Sequence, residues 1–275
     1  MLKEFFNLFK RQFSFLRKKI LTDINFKKLF MKKLIISFLF SFLLLSLAGK
    51  TQQFINSGVI EFEVKMNNHK LFGDGIWAEM IKDKMPQFST TYYKYSFNDN
   101  KSVYKFDRFD ERSRVRMFMN DNIEDNTWFS DYNTKQFTDQ KFVFDNTYLL
   151  NGELMKIDWK LSPNEYREIA GFNCRKATGV IFDSVYIFAF YTDEITISGG
   201  PMGIHGLPGM ILGITIPRMF SSYIATRVQL GVDAKTVTPP TKGKKKDAEE
   251  LRQNVIKVSK DWGTWGKQAI WNIFI

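Results

Sequence analysis

Ile60-Glu61-Phe62-Glu63-Val64-Lys65-Met66 alternates apolar and charged side chains without a break. Successive side chains of a strand point to opposite faces, so this stretch reads as a strand with one face in a core and one in water. Such a strand belongs in an antiparallel sheet, because the strands of parallel sheets are covered on both faces. Met155, Ile157, Trp159 and Leu161, interleaved with Lys156, Asp158 and Lys160, predict a second strand of the same kind.

Around these two, residues 91–97 (TYYKYSF), 102–107 (SVYKFD), 114–119 (RVRMFM) and 135–144 (KQFTDQKFVF) are short aromatic segments, and polar turns such as Asn98-Asp99-Asn100 separate them. Residues 172–181, 184–192, 210–217 and 222–230 continue the series to about ten strands. The expected fold is mainly β: a curved antiparallel sheet or half-barrel, its curvature following from many short twisted strands. Trp77, Met80, Ile81 and Lys84-Met85 have helical spacing, and Pro86 stops it. A short early helix over 75–85 is therefore predicted, placed to cover an open face of the sheet.

After Gly231 the composition changes. Residues 235–247 (KTVTPPTKGKKKD) read as a basic linker, and 247–261 as a helix with Leu251, Val255 and Val258 on one stripe. The end, DWGTWGKQAIWNIFI, carries three tryptophans in a helical tail that folds back on the body. An aromatic anchor for a membrane or partner is the alternative reading. The division is thus 51–232 as the β domain and 233–275 as linker and tail.

The net charge of +11 suggests nucleic acid at first sight. Its distribution argues otherwise. Residues 1–48 hold ten Lys and Arg against two acidic residues, and the remainder is close to balanced, with thirty against twenty-seven. No nucleic-acid partner is expected. Met31-Lys32-Lys33, the apolar run from Leu34 and the small residues Ser46-Leu47-Ala48 have the layout of a secretory signal peptide over 31–48, cut after Ala48. The run is short for a membrane span, and no Cys follows to carry a lipid. Residues 1–30 precede that signal and read as a misassigned upstream extension, with a basic amphipathic helix as the alternative. The destination is periplasmic or extracellular. With one cysteine, Cys174, no intramolecular disulfide can form, and stability must come from packing.

Two histidines, His69 and His205, restrict the available chemistry. A zinc site would need both together with Cys174, and their spacing is not that of metal ligands. A Cys174–His205 nucleophilic pair is conceivable across a fold, but Cys174 sits inside a strand pattern, where a small buried hydrophobe is the default. No GxxxxGK[ST], GxSxG or HExxH motif occurs. The acidic residues Asp107, Asp110 and Glu111 read as a solvated turn. No cofactor and no catalytic residue is expected.

Residues 199–213, GGPMGIHGLPGMILG, hold six of the 17 glycines and two of the seven prolines. Glycines supply positive φ and close backbone approach, and prolines restrict the unfolded chain. Leu207, Met210 and Ile211 among them predict an ordered loop whose apolar residues enter the core. Pro208-Gly209 suits a type II turn. Close approach of a ligand to the glycines is the functional alternative. The residues Gly200, Pro201, His205, Gly206, Leu207, Pro208, Gly209, Met210 and Ile211 are read as mainly structural.

His205-Gly206-Leu207-Pro208-Gly209-Met210-Ile211-Leu212 resembles the signature of the GLPGLI family, with Met210 in place of Leu. Ile169–Ala177 (IAGFNCRKA) is similar to that family's upstream I-x-G-y-x-C-x-K-A strand, and Tyr191–Ile195 followed by Gly200-Pro201 to its approach segment. The match is strong over 165–217 and loose over 55–232. The resemblance implies an exported protein of Bacteroidetes-type bacteria, and it carries over no catalytic residues because the family defines none. Two function classes follow. The first is a non-enzymatic envelope protein that binds an apolar ligand or an envelope or outer-membrane protein partner. The second is a hydrolase or metal-handling envelope protein. The abundance of Phe, Tyr and Met and the scarcity of His favour the first. Intact-mass measurement of the exported protein should place the mature N-terminus between residues 47 and 52. Retention of residues 31–48 in a membrane fraction would overturn the signal-peptide reading.

Overall fold

The computed structural model describes residues 31–38, 56–73, 75–114, 123–182, 184–231, 237–262 and 264–275. The upstream extension, the cleavage site after Ala48 and nearly all of the 114–119 segment lie outside them. The chain divides into Met1–Gln53 and Phe54–Ile275. In the first unit residues 31–38 form a helix, α1, with exposed side chains. Among the described residues no helix is long and apolar enough to cross a membrane.

The second unit is mainly β. Its strands are β1 (Ser57–Asn67), β2 (Phe88–Asn98), β3 (Lys101–Phe109), β4 (Thr127–Asp131), β5 (Gln136–Val143), β6 (Asn146–Glu153), β7 (Lys160–Ile169), β8 (Phe172–Ile181), β9 (Val185–Thr192), β10 (Met210–Ile216), β11 (Ser221–Leu230) and β12 (Lys244–Asp247). Helices α2 (Asn68–Phe72) and α3 (Ile76–Lys82) follow β1, and α4 (Ala248–Val258) and α5 (Thr264–Phe274) end the chain. One open sheet contains all twelve strands in the order β12-β6-β5-β4-β3-β2-β1-β11-β10-β9-β8-β7. Neighbours pair antiparallel except β12 with β6, which run parallel.

The alternation of β1 is realised as read: Ile60, Phe62 and Val64 are buried, and Glu61, Glu63 and Lys65 lie on the other face. Three hairpins close with two residues at positive φ, namely Asp99-Asn100, Phe144-Asp145 and Ala170-Gly171. Such turns match the right-handed twist of the strands they join. The main core draws on β1–β4, on β7–β11 and on the loop between β9 and β10. A second small cluster joins Val143 and Leu150 of the sheet to Leu251 and Val255 of α4, with Ile270, Ile273 and Phe274 of α5 packed against it. The tail therefore folds back on the body.

Among the described residues twelve strands stand where about ten were expected. β4 is only five residues long. In β6, adjacent Leu149 and Leu150 are both buried, so both faces are covered and no alternation marks the strand. β12 arises from the lysine-rich stretch read as linker. Conversely, residues 154–159 make no ladder, and β7 begins only at Lys160. Ile157 and Trp159 pack against the core, whereas Met155 and Leu161 are 40% and 50% exposed. The Ile157 and Trp159 side chains lie against the bare Cα of Gly179, where a Cβ would stand 2.7 Å from Ile157 and 3.0 Å from Trp159. Alternation without a partner strand yields a pattern of faces but no sheet.

Three further readings need correction. The early helix is shorter than 75–85 and α2 precedes it; Ile81 is buried while Ile76 and Met80 are exposed. On α4, Val258 is 57% exposed and the buried stripe runs Leu251, Val255, Ser259. That is the i, i+4, i+8 line of a helix. Asp107 lies in β3 rather than in a turn, where it pairs with Lys94 and Arg108.

The 199–213 loop is ordered as expected, and Leu207, Met210 and Ile211 are buried in the main core. The turn type differs. Gly209 N donates to the Leu207 carbonyl (2.8 Å), while Met210 N donates to Ile195 (3.0 Å). This is a three-residue γ-turn around Pro208 rather than a type II turn. Gly209 has φ +138°, and a Cβ there would fall on the Thr192 carbonyl. Gly209→Ala should therefore cost on the order of 1 kcal/mol or more. Leu207, 2% exposed, should cost about 2–5 kcal/mol when cut to Ala. Chemical denaturation measures both; unchanged midpoints would mean the loop is no part of the cooperative core.

Cys174 is wholly buried, and its Sγ lies 3.6 Å from the Phe172 carbonyl. Burial, with the charge of Glu194 second, pushes the thiol up to about 12. We expect native labelling by a thiol reagent to be slow and to become fast in denaturant. Fast native labelling would revive the nucleophile.

Candidate functional site

Period-two geometry puts Phe137, Asp139, Lys141 and Val143 of β5 on one face. Val143 belongs to the second cluster and Phe137 packs against it. Two charged residues therefore share a face with a hydrophobic core. Lys141 is 3% exposed. Its Nζ donates to the Ile275 backbone oxygen (3.3 Å) and lies 3.7 Å from the centre of the Trp128 ring. Trp128 Nε1 donates to the same oxygen (3.2 Å). The end of α5 is thus held by an ammonium and an indole. A cation on a desolvated tryptophan face is a favourable placement for buried charge.

Asp139, two residues along, accepts from Phe129 N through Oδ1 (3.1 Å). Burial pushes its carboxyl up, while the charge of Lys141 and the Phe129 N–H pull it back. Burial likewise lowers Lys141, and Asp139 opposes that. Each charge favours the other, but burial is the larger effect on both, so the carboxyl is raised and the ammonium lowered.

Asp139 and Phe137 line a cleft of about 900 Å³. Its walls come from distant parts of the chain: Asn151–Glu153 of β6 with the extended residues beyond, Val180–Phe182 at the end of β8, the Met202-Gly203 turn, the first turn of α4, and Phe274. Phe137, Leu154, Met155, Ile181, Met202 and Phe274 are among the apolar residues that line it. Met202 has φ +58° and Gly203 φ +72°. This backbone reversal brings the GLPG loop to the cleft. The volume is within the range of small-ligand sites, and the lining joins this apolar set to the charged residues Asp139, Glu153, Lys156, Asp158, Glu249 and Arg252.

The motif residues occupy the two sides of one loop. Gly200 is extended, and a Cβ on it would meet Ile211 at 2.8 Å; Pro201 is buried at the start of a single 3₁₀ turn. His205 is half-buried. Its Nδ1 donates to the Gly203 carbonyl (3.1 Å), its carbonyl accepts from Trp159 Nε1 (2.9 Å), and its ring lies 5.8 Å from that of Tyr132. Burial lowers its pKa, with the Gly203 carbonyl opposing. Gly206, at φ +97°, donates its N–H to Ser198 Oγ (3.0 Å), and Pro208 is exposed. His69 sits in α2 and meets the Met85 carbonyl at 3.4 Å. Neither histidine has Cys174 as a described partner, so the three are not gathered into one centre. Among the described residues no group of three or more His, Cys, Asp or Glu is placed to hold a metal. The charged pair of β5 was missed from sequence, although its signal was present: Asp139 and Lys141 continue the face of Phe137 and Val143.

No family model matches the chain, and no curated protein matches it. Among solved structures, the chain is similar to one described as PNGF-II in space group P21, with a TM-score of 0.46 and 14% identity over 72% of this chain. It spans 32% of that protein's length. An uncharacterized conserved protein from Thermus thermophilus superposes with a TM-score of 0.37 and 6% identity, over 72% of this chain and 93% of that one. Superpositions this loose carry neither fold nor function across.

Proposed function

We propose that this is an exported envelope protein of GLPGLI type that binds an apolar ligand in the cleft beneath α4 and α5, within a sheet curled into a half-barrel. The cleft itself carries the reading. Apolar side chains of β5, β8, α5 and the stretch after β6 face one another across it beside a charged rim, and it joins the GLPG loop, through Met202 and Gly203, to strands from both ends of the sheet.

Chain length supports the curl. Residues 154–159 link β6, next to one edge, to β7 at the other. Ten strand spacings would separate β6 from β7 by about 48 Å in a flat sheet, whereas the link reaches about 25 Å. Residues of β5, β6 and β8 around a single cleft point the same way. Export is supported by the layout of residues 31–48, and the family by the signature around Gly206–Gly209.

An uncharged polarity-sensitive dye, N-phenyl-naphthylamine, tests the site. It should bind saturably with enhanced fluorescence. Val180→Trp and Met155→Trp, at partly exposed cleft positions, should weaken binding about tenfold with little change in melting temperature. Absence of saturable binding, or binding indifferent to both substitutions, would refute the proposal.

A further inference from the structure

Charge pairing around the cleft is uneven. Asp247 accepts from Glu249 N and Glu250 N and so caps α4 (both 3.0 Å). Glu249 is bound by Arg252 through two nitrogens (2.7 and 3.0 Å). Lys156 and Asp158 face each other at 3.9 Å, both exposed. Removing the two ion pairs leaves three carboxylates of the lining with no lining cation beside them, the N-cap Asp247, Asp139 and Glu153, and no lining cation without a carboxylate beside it; of the three, Asp247 is satisfied by the α4 amides. Lys141 offsets Asp139 in part, but its ammonium is already engaged by the Ile275 oxygen and the Trp128 ring. Asp139 Oδ1 is taken by the Phe129 amide. Its second oxygen has no hydrogen-bond partner among the described residues, and Asp139 lines the cleft.

Resting on the reading of the cleft as an apolar-ligand site, we infer that its ligand is a cationic amphiphile: an apolar body between Phe137, Met155, Met202 and Phe274, with an ammonium head on Asp139. A neutral hydrophobe would leave the carboxylate desolvated and unpaired, and an anionic one would repel it. A head with N–H groups donates to the free oxygen, a charge-assisted contact. Electrostatic fit of this kind selects among ligands of equal apolar area.

Protons follow from the same geometry. The charged groups around Asp139 are Lys141 on its own strand and, along the cleft lining, Glu153 on β6, Lys156 and Asp158 beyond it, Asp247 at the end of β12, and Glu249 and Arg252 of α4. Burial raises the Asp139 carboxyl, so it holds its proton above the usual carboxylate range. A cation binds the ionised form and expels that proton. Affinity for a cation should therefore rise with pH through the titration of Asp139, while affinity for a neutral molecule should not.

Decylammonium, decanol and decanoate, each displacing the dye below its micellar concentration, separate the possibilities. Decylammonium should bind about tenfold tighter than decanol near pH 8 and lose that advantage near pH 5. Asp139→Asn should remove most of the advantage and leave decanol unchanged, and Glu153→Gln should remove less. Calorimetry of the unaltered protein in two buffers of different ionisation enthalpy gives a readout independent of folding of the variants: decylammonium binding should release protons near pH 6 and decanol binding should not. Equal binding of decylammonium and decanol, tighter binding of decanoate, or the absence of proton release would overturn the inference. If none of the three displaces the dye, the apolar site itself fails.

Discussion

The ladder between β1 and β11 joins the two halves of the sheet. Gly58 pairs with Leu230 and Met66 with Ser221 across more than half the chain. The other antiparallel pairings join strands consecutive in sequence, running β1 to β6 on one side and β7 to β11 on the other. Closing so long a loop costs entropy before any contact forms. The offset is on the same strand: Ile60 and Phe62 are fully buried, and Phe62 meets Tyr95 and Tyr104 edge-on at 6.4 and 6.1 Å. Register is therefore strict. A slip by one residue would bring Glu61, Glu63 and Lys65 into the core, and the structure admits only a bulge between Glu61 and Phe62 on the β11 side.

The loop between β9 and β10 fills the space beside that ladder. Ile195, Ile197, Ile204 and Leu207 all belong to the main core. Backbone meets side chain closely there: a Cβ on Gly199 would collide with the Tyr95 hydroxyl and stand 2.8 Å from that of Tyr132. Tyr95, Tyr132 and Ser102 share hydroxyl contacts of 3.0 and 2.9 Å beneath it. Burial raises both tyrosines, so they stay neutral and serve as hydrogen-bonding groups. The glycines are thus needed where polypeptide lies on polypeptide. Of this loop, Met202 and Gly203 are the residues that line the cleft.

The free edges of the sheet are charged or irregular. β7 carries a bulge between Ser162 and Tyr166 that takes in Pro163, and β12 reads Lys-Lys-Lys-Asp. Both features discourage pairing with another chain. β12 also aims α4 by delivering Asp247 to its N-cap. With α5 held by Lys141 and Trp128, the tail forms one wall of the cleft and the lid of the second core. Strand β5 serves both, because Asp139 and Lys141 lie on one face two residues apart.

The glycines and apolar residues of 199–213 and the tryptophans of the tail marked the ordered loop and a tail that returns to the body. Local pattern marked β1, β2, β3, β5, β8, β9, β10 and β11, because it records which side chains share a face. It could not tell residues 154–159 from a strand, since a ladder needs a neighbour that sequence alternation does not name. It passed over β6, whose two faces are both covered, and β12, whose lysines lie along an edge. Leu251 and Val255 were legible as a stripe, but Ser259 displaced Val258 because helix direction against the second core decides the third position. Of the candidate site, the GLPG loop was visible and the cleft was not. Its walls come from β5, β6, β8, α4 and α5, which lie far apart in sequence, and only the tertiary structure brings them together. The charges of Asp139 and Lys141 acquired meaning in the same way: any strand can carry them, and burial against Trp128 and the end of α5 makes them a site.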